Sequence, residues 1–435
     1  MLLCATHPAA WSCPAEQIPE RIVSQGQPAT PETAVQTAPA TQDLPELTPE
    51  ELKALQEALA IDAADQAPAL NTAMPSLGNA NPMTSSFATG AVPLQSANPD
   101  IAFILDTAGS WFSDEPQQLG AHDPNRTGFT LQQLEMSIGS NVDPFFRMDA
   151  NLVFSQFGVE VEEAYGTTLA LPHGLQVRMG QLLTRFGRLN NTHPHSWHFL
   201  DQPLVNGKFF GGEGSRGLGA EISWLSPLPW FAELVFSTTD AAGACCARSF
   251  YGGDDLGVEE PIDLLATTAL KQFFPFDEDW SLAWGLSGQL GPNPTGNGNR
   301  SMILGTDLYL RYRPVASAVR SAVSLQVESM YRSRQTPGDR LEDWGAYAQL
   351  VWNINLRWET GARYEYVTGA LDDFLDPEWT EDRQRITGQI TYYPSHFSRL
   401  RLQASEDRLE WLDEPIYAVM FGTEVLIGAH GSHGF

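Results

Sequence analysis

The feature that most constrains this chain is a strict period of two, repeated in short segments from about residue 98 onward. In Leu356–Val367, Leu356, Trp358, Thr360, Ala362, Tyr364 and Tyr366 share one face. Arg357, Glu359, Gly361, Arg363 and Glu365 share the other. Successive side chains of a strand point to opposite sides, so this is a strand with one apolar and one charged face. Leu304–Arg313 repeats the pattern, with Thr306, Leu308, Leu310 and Tyr312 set against Asp307, Tyr309, Arg311 and Arg313. Phe146–Phe154 and the stretch around Leu400 and Leu402 do the same.

A soluble sandwich also alternates, so the loops have to decide. The chain divides into sixteen such segments, from 101–112 to 415–427. Every second connection is short, as at 143–144, 172–174, 226–229, 275–279, 314–319, 353–355 and 394–398. Most of the others are long: 113–128, 187–216, 239–263, 291–301, 333–342, 368–382 and 408–414. Aromatic residues flank the short turns: Phe145 and Phe146, Trp224 and Trp230, Phe273, Phe274 and Trp280, Trp352 and Trp358, then Tyr392, Tyr393 and Phe397. Rings of this kind favour the bilayer interface. Short turns at one rim and long loops at the other predict an all-β, transmembrane, antiparallel up-and-down β-barrel over 98–435. An even strand number returns both barrel ends to one rim, read here as periplasmic. The terminal Phe435 fits a barrel-assembly signal.

No apolar run approaches the roughly 18 residues a membrane-spanning helix needs. Mean hydropathy is −0.23, as an alternating barrel permits. Residues 1–97 are rich in Pro, Ala, Thr, Gln, Ser and Asn and form a low-complexity extension, placed in the periplasm. Within it, Thr48-Pro49-Glu50-Glu51 is a helix start, and Leu52, Leu55 and Leu59 share one face of a helix over about 48–60. Residues 1–15 read as a remnant secretory signal without Lys or Arg, which suggests a true start further upstream. The four cysteines, Cys4, Cys13, Cys245 and Cys246, do not define a disulfide framework.

Net charge is −28, which excludes nucleic acid as a partner because phosphate binding needs a basic surface. The acidic clusters sit mainly in the long loops, as in Asp254, Asp255, Glu259, Glu260 and Asp263. There they can keep the rim soluble, bridge to lipopolysaccharide through divalent ions, or concentrate cations at the mouth. No GxSxG, HExxH, Walker or GxGxxG motif sits in a suitable context, so the chain reads as a non-enzyme.

Residues 159–187 carry Val161, Glu163-Ala164-Tyr165, Leu175, Arg178, Gly180-Gln181 and Arg185-Phe186-Gly187. This stretch resembles the phosphate-selective porin O and P family. The resemblance implies a sixteen-stranded trimeric barrel and a pore lined by Arg and Lys. The fuller chain is similar to a bacterial group labelled zinc-regulated TonB-dependent outer-membrane receptors. That similarity runs through His193-Pro194-His195-Ser196-Trp197, Gly212-Glu213-Gly214-Ser215-Arg216-Gly217, Gly291-Pro292-Asn293-Pro294-Thr295-Gly296, Asp413-Glu414-Pro415-Ile416-Tyr417 and Gly428-Ala429-His430-Gly431. Lys208 is the one lysine of the third external loop, residues 187–216, and the acidic excess favours cations over phosphate.

In sixteen-stranded porins the third external loop folds inward, and here it carries His193, His195 and His198. Imidazole suits zinc, copper and nickel, and Asp201 and Glu213 can add oxygen ligands. The alternative is that these histidines hydrogen-bond the folded loop and pack on Trp197. His430 and His433 form a second pair in the tail. The lumen face is expected to carry Arg178, Lys208, Arg311, Glu328, Arg357, Glu359, Arg363, Glu365, Arg385 and Arg401, with the arginines pairing with Glu328, Glu359 and Glu365. Together these features predict a passive, cation-favouring outer-membrane channel for small solutes, zinc or another divalent ion among them, with no resident cofactor. A non-conducting receptor, adhesin or structural barrel is the alternative.

Overall fold

The computed structural model describes residues 99–428 apart from 156–157, 241–245, 251–259, 297, 316–320, 374–376 and 378. The N-terminal extension, its helix at 48–60, the tail histidines His430 and His433, and Phe435 lie outside the described residues.

Sixteen antiparallel strands close into a barrel: β1 Asp100–Phe112, β2 Gly128–Asn141, β3 Phe146–Ser155, β4 Gly158–Thr168, β5 Leu175–Leu183, β6 Arg216–Leu225, β7 Phe231–Thr239 and β8 Leu265–Pro275; then β9 Trp280–Pro292, β10 Arg300–Tyr312, β11 Ala322–Thr336, β12 Asp339–Asn353, β13 Trp358–Val367, β14 Arg383–Ser395, β15 Ser398–Leu409 and β16 Ile416–Gly428. Each strand pairs with its neighbours in sequence, and β1 closes on β16 through Ala102 opposite Gly428. No described helix is long and apolar enough to cross a membrane.

Burial runs opposite to that of a soluble protein. On β15, Leu402 is 51% exposed while the adjacent Gln403 is 1% exposed. Phe421, Val419 and Val425 of β16 face outward, while Glu424 and Met420 face in. The apolar face therefore looks out and the polar face looks into the lumen, as lipid on one side and a polar interior on the other require. Outward aromatic pairs mark the short-turn rim: Trp280 with Tyr312 at 4.7 Å and Trp358 with Tyr392 at 4.8 Å. The opposite rim has its own: Trp344 stands 5.2 Å from Tyr366, with exposed Trp111 and Tyr417.

The strands lie within a few residues of the sequence expectation, with three differences. β11 and β12 run on to Thr336 opposite Asp339, so the expected loop 333–342 is a tight hairpin about Pro337-Gly338. β5 stops at Leu183, and β13 starts at Trp358. That leaves Arg357 exposed in the short turn and off the lumen wall. Its backbone amide donates to Asn355 Oδ1, as a turn requires.

The outward face gives a direct test. Leu402→Arg puts a charge at the middle of a lipid-facing strand and should lower folding free energy in lipid vesicles by about 2–4 kcal/mol. Leu412→Arg, in the β15–β16 loop, should stay within about 0.5 kcal/mol. Denaturant titration of vesicle-folded protein reads both, and equal effects would remove the assignment of that face to lipid.

Candidate functional site in the barrel lumen

Loop 3, residues 184–215, leaves the wall after β5 and runs through the lumen. Its sequence makes this favourable: Phe199, Leu200, Leu204, Val205, Phe209 and Phe210 would be costly in water, and all are buried here. The loop contains a single 3-10 turn at Pro194–Ser196 and a short helix, α1, at Leu204–Phe210. Gly187, with φ +59, sits where the loop turns off the wall beside Glu328. Gly345 and Gly422 let the loop approach closely, since a Cβ at Gly422 would lie 2.2 Å from Leu200 Cδ2.

A buried loop must satisfy its backbone. The lumen side chains do this. Glu328 accepts from the amides of Arg188 and Leu189, at 2.9 and 2.7 Å. Gln403 accepts from Leu200 N at 2.8 Å, and Glu365 from Leu204 N at 2.6 Å. In the other direction, Arg401 donates to the carbonyls of Trp197 and Phe199, and Arg399 to that of His195. Loop 3 also brings Phe186 and α1 into an apolar cluster with Leu119, Ala247, Phe250, Trp379 and Trp411 from other loops, and with Ile303, Met330, Tyr347 and Val367 from the wall. Cys246, beside Ala247, is disulfide-bonded.

The loop divides the lumen wall by charge. On one side β11–β15 present Arg332, Arg334, Arg363, Arg383, Arg385, Arg399 and Arg401, all buried and all ion-paired. Asp201 sits against this side, with Oδ1 2.6 Å from Arg363 Nη2 and Oδ2 2.9 Å from Arg385 Nη1. Burial works against its charge, but Arg363 and Arg385 outweigh that and hold its pKa below the ordinary value.

On the other side stand Glu135 of β2 and Glu162 and Glu163 of β4. His193 Nδ1 lies 2.8 Å from Glu162 Oε2 and 3.8 Å from Glu135 Oε1. Its Nε2 lies 3.1 Å from Glu163 Oε2. His195 stacks on His193 at 5.6 Å and reaches Glu135 Oε2 at 2.8 Å. Glu162 and Glu163 are consecutive, yet both are buried at His193. A bulge explains it: Asn151 pairs Glu163 while Leu152 pairs Val161, leaving Glu162 as the extra residue, turned inward. Burial disfavours charge on His193, but Glu162 and Glu135 win and raise its pKa well above the ordinary value. Glu135, Glu162 and His193 each offer a donor atom, all within 4.8 Å of one another, which suits a metal ion.

The expected five-residue ligand set on loop 3 does not converge. His193 and His195 meet, but His198 turns away to Glu359 Oε1 at 3.0 Å. Asp201 is held by two arginines, and Glu213 faces His122 Nε2 at 3.3 Å. Among the expected lumen residues, Arg178 pairs with Glu221 and Arg363 with Glu365, while Lys208 reaches Asp343 at 3.2 Å. Arg311 is half-buried on β10. Glu328 serves backbone amides and Glu359 serves His198, so neither takes an arginine as expected. The acidic ligands from β2 and β4 were not anticipated. Glu135 had a signal, since it alternates with Leu134 and Met136.

Two outcomes follow from the loop's anchorage. Asp201→Ala strands two buried guanidinium groups and should cost about 3–5 kcal/mol, read by denaturant titration; a loss below 1 kcal/mol, about the worth of an exposed pair, would show the anchor is not structural. His122 is raised from 6.5 to about 9: burial opposes its charge, and Glu213 outweighs it. A raised pKa stabilises fully below the unfolded value and is lost as pH rises through the folded one. The stability gap between wild type and His122→Gln should therefore be largest below pH 6.5 and close as pH passes about 9.

No family model matches the chain. Its fold is similar to an anion-selective porin from Comamonas acidovorans, 12% identical, with a TM-score of 0.51 over 76% of this chain and 99% of that one. It is also similar to the outer-membrane channel DcaP of Acinetobacter baumannii, 10% identical, with a TM-score of 0.51 over 76% and 98%. OprB of Pseudomonas putida is 9% identical, with a TM-score of 0.52 over 76% and 94%. In sequence, a protein of Aquifex aeolicus (strain VF5), described as an uncharacterized protein, is 30% identical over 383 residues, which is 78% of this chain and 80% of that one. The chain therefore belongs to the family of that Aquifex aeolicus protein, and it is built on the sixteen-stranded fold of outer-membrane porins.

Proposed function

We propose that this chain is an outer-membrane channel for small solutes that favours cations and carries zinc or a similar divalent ion as cargo. The observation behind this reading is the cluster of Glu135, Glu162 and His193, with Glu163 and His195 beside it, on the acidic side of the lumen. Imidazole with carboxylates matches zinc, and binding requires the neutral imidazole, so the ion displaces a proton from His193. A transport site must hold its ion loosely enough to release it. The net charge of −28 adds a field that gathers cations at the rim. Both barrel ends lie at the short-turn rim, which supports a periplasmic N-terminal extension. The expected partners are lipid, lipopolysaccharide, the solute and two further copies in a trimer.

One observation favours a second reading, a closed receptor or structural barrel. The apolar cluster formed by loop 3 with four other loops occupies the interior itself.

Planar-bilayer recordings of pure protein separate the two: step openings are expected, and their absence would sink the channel. In a salt gradient the reversal potential should show cation preference, and anion preference would refute it. For the cargo, His193→Ala should weaken zinc binding by roughly tenfold or more. His198→Ala should leave it within about twofold, because His198 lies at Glu359. Equal effects of the two would remove zinc from this site.

A further inference from the structure

Loop 3 carries a third histidine that the His193 cluster does not absorb. His198 lies between Trp197 and Phe199, whose carbonyls both accept from Arg401. Its ring turns away from His193 and directs Nδ1 at Glu359 Oε1, 3.0 Å away. Glu359 is the second residue of β13, next to a short turn, so the ring lies toward the short-turn end of the lumen.

Glu359 is 1% exposed and held from several sides. Its Oε1 also accepts from Gln389 Nε2 at 2.9 Å. Its Oε2 accepts from Asn353 Nδ2 at 2.8 Å and from Tyr393 Oη at 3.2 Å. A carboxylate only accepts, so Nδ1 of His198 carries the hydrogen, and in the neutral ring Nε2 keeps the lone pair.

Nε2 is the open end. The side chain of His198 is 29% exposed, against 14% for His193 and 5% for His195. Among the described residues no group hydrogen-bonds Nε2. His193 has a carboxylate on each nitrogen, whereas His198 has one on Nδ1 alone. The guanidinium groups nearby are engaged, Arg399 with Glu424 and Arg401 with the loop carbonyls. A buried carboxylate on one ring nitrogen is the arrangement that fixes the tautomer of a metal-ligating histidine, orients its ring and raises the basicity of the other nitrogen.

We propose that His198 is a second metal ligand of the lumen, one imidazole offered through Nε2 to a borderline divalent ion of the zinc, copper or nickel kind. Water completes the coordination, so the hold is weak, as suits a station that must release its ion. Its part in passage toward the short-turn rim rests on the cargo reading above. The ligand itself does not need the His193 cluster.

Diethylpyrocarbonate acylates an unprotonated imidazole nitrogen that solvent reaches, and mass spectrometry locates the product. Zinc is the competitor, on the full chain in detergent micelles at about pH 8, where an ordinary imidazole is neutral. His198 should be modified, and zinc should protect it. The comparison is His173, exposed in the β4–β5 turn with no carboxylate partner among the described residues. Half-protection of His198 should need about tenfold less zinc than that of His173, a comparison that requires no variant. Glu359→Gln should bring the two within about twofold. His193→Ala should leave the protection of His198 within about twofold. An unmodified His198 would mean that Nε2 is closed off. Protection no better than at His173, or indifferent to Glu359→Gln, would mean a histidine that serves the fold alone. Protection lost with His193→Ala would place the ion at the other cluster. Each of these overturns the proposal. Protection of His198 in a protein that never opens in planar bilayers would refute the transport reading and leave this ligand standing.

Discussion

Backbone hydrogen bonding with no water available is the constraint on which the rest of this structure depends. In hydrocarbon an unpaired amide or carbonyl is so costly that a sheet can span only if it has no edge. Sixteen strands meet that demand by pairing β1 with β16, register Ala102 to Gly428. Closure then creates the second problem, an interior that must be filled or wetted. Because the outward face belongs to lipid, the inward face is left to polar residues. Those residues, required by the wall, become the partners that let an irregular loop run through the middle.

Loop 3 shows the same rule at shorter range. Its amides at 188, 189, 200 and 204 find Glu328, Gln403 and Glu365, and its carbonyls find Arg399 and Arg401. The wall charges are thus partly a scaffold. Arg363 and Arg385 hold Asp201, and Asp407 holds Arg383 and Arg385 in turn. Charges neutralised in this way shape the local field weakly. That is why the side facing β2 and β4, where carboxylates meet histidines, carries the cation selectivity proposed for the pore.

The barrel was legible because lipid imposes alternation on every strand, and period two survives in the sequence. It failed where lipid stops imposing it. Ser333-Arg334-Gln335 continues β11 with polar residues on both faces, so that stretch read as loop. Arg357 matched the parity of the lumen face but falls in the turn before β13. The metal candidates were half legible. Histidines in an inward loop are a pattern in one segment, and His193 and His195 came together. Their acidic partners lie on strands up to about sixty residues away, as with Glu135 and His195. Contacts of that range leave no local period to read. Glu162 is harder still, because its inward turn depends on a bulge and simple alternation sends it to lipid.

That bulge ties fold to chemistry most closely. A regular β4 would place Glu163 inside and its neighbour outside, where a carboxylate in hydrocarbon is expensive. Inserting one residue opposite Asn151 and Leu152 moves Glu162 to the lumen and sets two consecutive carboxylates on the two nitrogens of His193. One irregularity in one strand thus supplies the second carboxylate that holds the His193 ring.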